Sequence, residues 1–175
     1  MVEAKCGFNN SPNVPGCDLL IAHGPSLLVD IGFDPAHDPS NKPGGVPAPG
    51  ITGVNALVDT GATECCIDSL LAAHLNLPIV NKRQIAGIGG SHTVNVYLAQ
   101  VHVPALRVTM NGAFAGVDLK ACGQIHSALI GRTFLRHFKM IYHHFRLVCR
   151  LVFYCDVSVN VTSGCPSPNG PSAVT

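Results

Sequence analysis

The chain has 175 residues, 47% hydrophobic and 12% charged, enough for one real core and too few for two of comparable size. Its 11 Lys and Arg against 10 Asp and Glu leave no excess of either sign, which removes the electrostatic case for nucleic acid or anionic lipid. No apolar run approaches the ~20 residues that span a bilayer, and the start lacks a basic segment followed by an apolar one, so a cytoplasmic protein without a membrane span is expected.

In chain order, residues 1–24 are rich in Asn, Pro and Gly with little periodicity and read as a flexible N-terminal segment. Residues 26–31 form the first predicted strand. Residues 34–50 carry five prolines and read as a long exposed loop. A second strand, 53–58, runs into Asp59-Thr60-Gly61-Ala62-Thr63, and residues 68–75 open with a capping Asp and supply about two helical turns. Residues 85–90, Ile85-Ala86-Gly87-Ile88-Gly89-Gly90, read as the glycine-rich tip of a hairpin feeding the strand 93–103. Further strands are predicted at 106–110, 113–119, 139–142 and 145–153, with a short helix at 133–138 following the apolar strand Ala128-Leu129-Ile130 and Gly131. The Ser, Pro and Gly tract at the end makes 154–175 a flexible tail. The expected fold class is all-β with one or two short helices, in a single domain spanning 25–153.

The eight cysteines are expected as reduced thiols, since an apolar core of this size needs no staples and no export signal is visible. Adjacent Cys65 and Cys66 do not readily aim two sulfurs at one ion, and no Cys-x-x-Cys occurs, so neither a metal site nor a cofactor is expected. His143 and His144 alternate sides of a strand, one ring inward and one solvated.

The stretch with chemical meaning is Ala56-Leu57-Val58-Asp59-Thr60-Gly61-Ala62-Thr63. A strand delivers Asp59 to the edge of the core, Gly61 lets the backbone turn and approach a ligand, and Thr60 can hydrogen-bond inward to lock the loop. Alone it proves little, because Asp-Thr-Gly arises by chance in roughly one protein in thirty of this length. The glycines at 87–90 do not make a phosphate loop, because an alternating strand follows them instead of a helix with Lys and a hydroxyl.

Taken in this order, Asp59-Thr60-Gly61-Ala62, the glycine-rich tip and Leu129-Ile130-Gly131-Arg132 before a helix resemble the retropepsin family of single-domain aspartic proteases, with the bacterial members nearest. The resemblance covers about residues 25–152. It implies a closed β-barrel with an acid protease fold. It further implies a homodimer in which each chain gives one Asp59, paired Thr60 residues brace the two loops, and flaps close over an extended peptide. The sequence agrees in holding one Asp-Thr-Gly and no second Asp-Thr-Gly or Asp-Ser-Gly. Retroviral members commonly place an acidic residue where Thr63 stands, pairing with the arginine of the later signature. Arg132 is therefore expected to pair with Glu64, to pair with Asp68, or to lie on the surface.

The function implied is an aspartic endopeptidase in which Asp59, Thr60 and Gly61 are catalytic, with no metal and no cofactor. Ala62, Thr63, Ile88, Gly89, Gly90 and Ile130 are expected to bind the peptide, and Thr60 and Arg132 to serve the dimer. The alternative is a non-catalytic dimerisation or peptide-binding module on the same fold. A thiol hydrolase built on Cys65 or Cys66 has residues available but no pairing that spacing supports.

Overall fold

A computed structural model describes residues 2–36, 50–87, 90–143, 148–153 and 161–163. Its centre is a closed barrel. β2 (Ser26–Gly32) pairs antiparallel with β3 (Gly50–Val58), and β3 runs parallel to β8 (Ala128–Ile130). β8 is antiparallel to β4 (Cys66–Asp68), and β4 is parallel to β7 (Val108–Val117). β7 returns through β6 (Gly90–Val103) to β2, which completes a ring of six strands. Beyond the ring, β5 (Ile79–Gly87) pairs only with the first half of β6, as a hairpin that stands off the barrel.

The ring closes because apolar side chains fill it. Val29, Ile31, Ile67, Val101, Val103, Phe114 and Ile130 are all buried in one core that also takes Phe134 from α3 (Arg132–Leu135). A fully buried aliphatic side chain contributes about 1.5–3 kcal/mol through the water it sheds. The two strands expected at 106–110 and 113–119 are one. Asn111-Gly112 reads as a turn, but β6 pairs straight through it, with Gln100 opposite Asn111 and Ala99 opposite Gly112.

The N-terminal segment corrects the expectation of a loose end. β1 (Val2–Cys6) joins β10 (Val148–Phe153) and β9 (Phe138–His143) in a second sheet of order β1-β10-β9, and Ala4, Cys6, Cys149 and Leu151 share the barrel's core. α1 (Gly16–His23) follows, held at its start by Gly16 N–H donating to Asn10 Oδ1 at 2.8 Å and by buried Leu20. Its polar residues mask one strand and one helix whose apolar positions are few but well placed. In the segment expected as a tail, β11 (Val161–Ser163) pairs in parallel with Met110–Gly112 of β7. The helix expected at 68–75 is α2 (Ser69–His74), and Asp68 caps it by accepting from Leu71 N–H at 3.1 Å. Most of the proline-rich loop lies outside the described residues. Among the described residues no helix is long and apolar enough to cross a membrane.

Two buried histidines carry a pH signature. His126, fully buried, sets Nε2 2.7 Å from Ser26 Oγ, and His102 sets Nδ1 2.9 Å from Thr109 Oγ1. Burial pushes both imidazoles below their ordinary value of 6.5; His23 and Lys120 add to the effect at His126, and Asp30 opposes it at His102. The unfolded chain therefore takes up these protons before the folded chain does. Their contribution to stability is whole above about pH 6.5 and is lost as pH falls below it. The urea midpoint is expected to drop between about pH 7.5 and 5.5, no more steeply than about 1.4 kcal/mol per pH unit for each proton taken up, and His126→Gln to flatten that drop.

Candidate active site

The site starts from the parallel pair β3 and β8, which end side by side with Val58 opposite Ile130. The ladder takes one more step, because Asp59 N–H donates to the Ile130 carbonyl at 3.0 Å. Asp59 is thus fixed by backbone pairing at the mouth of the barrel, with its side chain half-buried. Gly61 N–H turns back to donate to Asp59 Oδ1 at 2.8 Å, and that oxygen lies 3.1 Å from where a Gly61 side chain would begin. A bare backbone there lets the loop fold over its own carboxylate. Thr60 and Gly61 are exposed at the turn.

The turn after β8 fastens the rest of the loop. Arg132 N–H donates to the Ala62 carbonyl at 2.9 Å and Thr133 N–H to the Thr63 carbonyl at 3.0 Å. Gly131 N–H points at Cys65 Sγ, 3.4 Å away. The fit leaves no room for a side chain, since a Cβ on Gly131 would sit 2.3 Å from the Glu64 carbonyl oxygen and 3.0 Å from that of Ala62. Strand, carboxylate loop and short helix form one knot.

Of its three expected positions Arg132 takes the surface one, pairing with neither Glu64 nor Asp68. Its Nη2 donates to Thr63 Oγ1 at 2.8 Å, so a hydroxyl accepts where an acidic residue was the usual partner. Glu64 turns the other way and forms an ion pair with Arg83 of β5, joining the standing hairpin to the carboxylate loop. Asp68 is spent on capping α2 and on Lys120 N–H, 2.9 Å away. The Glu64 and Arg83 pair was not foreseen. Its only sequence signal is an acid one residue beyond Thr63 and a base on the outward side of a predicted hairpin.

Of the other predicted residues, Ala62 and Thr63 join the knot through their carbonyls. Gly90 opens β6 at the exposed end of the hairpin, opposite Gly87. Ile88 and Gly89 lie outside the described residues. Ile130 is a correction: it is 1% exposed within the core, and its contribution to the site is the carbonyl that holds Asp59. The neighbouring thiols are not poised as nucleophiles. Burial pushes Cys66 up to about 12, with Cys65 adding to it, and burial likewise raises Cys65, so neither is a thiolate at neutral pH.

A family profile described as retroviral aspartyl protease matches residues 42–142, which contain the Asp59 loop, the β5–β6 hairpin and the Gly131 turn. No curated protein matches the chain.

Gly131→Ala drives a methyl into two backbone carbonyls that have nowhere to go, and is expected to cost about 2–3 kcal/mol in urea unfolding. Arg132→Lys removes one exposed side-chain contact and is expected to cost under about 1 kcal/mol in the same experiment.

Proposed function

Because the chain belongs to the retroviral aspartyl protease family, we propose that it is an aspartic endopeptidase acting on extended polypeptides as a homodimer, with Asp59 of each copy forming the catalytic pair. The observation that carries this reading is the fixing of Asp59: the Ile130 carbonyl holds its N–H, and the Gly61 N–H holds its carboxylate. A carboxylate pinned at both ends meets the tight positional tolerance that acid–base chemistry needs. The chain holds one Asp-Thr-Gly, and a second copy supplies the other.

Two such carboxylates about 3 Å apart do not both ionise readily, so the pair shares one proton at mildly acidic to neutral pH. The ionised member draws a proton from a water held between them. That water attacks the scissile carbonyl, and the protonated member donates to the developing oxyanion. The two titrations belong to the pair, since symmetry makes neither Asp59 the acid beforehand. The β5–β6 hairpin, its outer half exposed, is the flap, and its backbone adds as a strand to the bound peptide. The ion pair between Arg83 and Glu64 ties that flap to the loop of the attacking water, so that closing over the substrate and aligning the acid are one motion.

The test is cleavage of an unfolded protein across about pH 3 to 8 by wild type and Asp59→Asn. The variant is expected to be slower by about a thousandfold or more, and the specific activity of wild type to rise with its own concentration. Equal cleavage by both removes Asp59 from the mechanism. A stable dimer that cleaves nothing makes the chain a peptide-binding module.

A further inference from the structure

Cys6 and Cys149 stand directly opposite each other in the antiparallel pair of β1 and β10, and both side chains are fully buried. Residues in such register have Cα atoms roughly 4.5–5.5 Å apart, inside the roughly 4.4–6.8 Å window of a disulfide. Two buried cysteines facing each other by accident of packing would behave as small apolar side chains. Three further observations set this pair apart.

First, the thiols are in contact. Their interaction raises Cys6 and lowers Cys149, while the Cys6 S–H donates to the Ala4 carbonyl at 3.8 Å. Second, Cys6 lies in the wall of a cavity. A cavity of about 160 Å³ lies between β1 and α1, with Cys6, Gly7, Leu20 and Val148 in its walls, and it is large enough for several waters. Third, all six cysteines among the described residues are free, so both sulfurs are held as thiols.

We infer that Cys6 and Cys149 are an oxidation site for small hydroperoxides, which enter the cavity and convert the facing thiols to a disulfide joining β1 to β10. The Cys6 thiol, in the cavity wall, attacks the O–O bond of hydrogen peroxide as its proton passes to the departing oxygen; it becomes a sulfenic acid and water is released. The Cys149 thiol then attacks that sulfur and water leaves. Two electrons pass from the two sulfurs to the peroxide. The product ties the N-terminal strand to its neighbour and narrows the unfolded ensemble.

The experiment exposes the full chain to hydrogen peroxide, quenches it, alkylates in denaturant and maps peptides by mass. Expected are a loss of about 2 Da in a linked Cys6–Cys149 peptide, its reversal by dithiothreitol, and a melting temperature raised by about 5–10 °C. Complete alkylation of both cysteines after exposure, while exposed Cys122 is oxidised, overturns the inference. So does a link from Cys6 to any other cysteine. In Cys149→Ser, Cys6 is expected to run on to the sulfinic acid. The wild-type map stands by itself if that variant fails to fold, and it does not depend on proteolytic activity.

Discussion

Everything at the mouth of the barrel depends on two strands that lie parallel and stop together. β3 and β8 have no turn to join them; residues 59–127 intervene, and their pairing is possible only because the whole ring closes. Once it does, the chain that leaves β3 and the chain that leaves β8 emerge side by side. The three backbone hydrogen bonds from Asp59, Arg132 and Thr133 then follow almost without choice. Long-range closure is the costly step, and the precision of the Asp59 loop is a by-product of it. This explains why a glycine far along the chain, Gly131, is as much a part of the site as Gly61: each removes a side chain from a place where two backbones meet.

The charges around this knot are arranged to leave Asp59 alone. The nearest acid in sequence, Glu64, is turned outward to Arg83; Asp68 is consumed by two backbone N–H groups; Arg132 leans on a hydroxyl. A carboxylate neutralised by an adjacent arginine would hold its charge too firmly to exchange a proton at mild pH. The barrel thus gives the charged neighbours of Asp59 other partners. The thiols of Cys65 and Cys66 beside it serve packing and backbone contacts, while the facing pair Cys6 and Cys149 belongs to the second sheet.

Local pattern made much of this legible. A strand entering Asp-Thr-Gly, an alternating strand behind a glycine-rich tip, and an apolar triplet entering Gly-Arg are each short-range signals, and together they place the loop, the hairpin and the turn. What stayed hidden was set by partners distant in sequence. β4 is three residues long and exists because β7 and β8 flank it. β1 carries Glu3 and Lys5 on its outer face and reads as a polar end until β10 supplies its ladder and Arg150 pairs with Glu3. The Asn111-Gly112 turn signal lost to eight residues of β6, Val96–Val103, running alongside. Arg132 had two carboxylates and the surface as destinations; it lies on the surface, and the hydroxyl it meets there, that of Thr63, follows from the loop's closure and not from charge.

The length of β6 has a mechanical meaning. From Gly90 to Val103 it is one unbroken strand, free-standing with β5 at its start and built into the barrel wall at its end. At about 3.4 Å per residue the free part is a beam of roughly 20 Å whose root is clamped between β7 and β2. A beam held this way does not swing on a hinge; it flexes along its length, and its stiffness is that of a twisted two-stranded ribbon. In its lower half the register shifts between Ile79 and Asn81. Load applied at the tip therefore arrives at the barrel as a bending moment on the β6 wall, which is also the wall that β2 shares with β3, the strand that ends at Asp59.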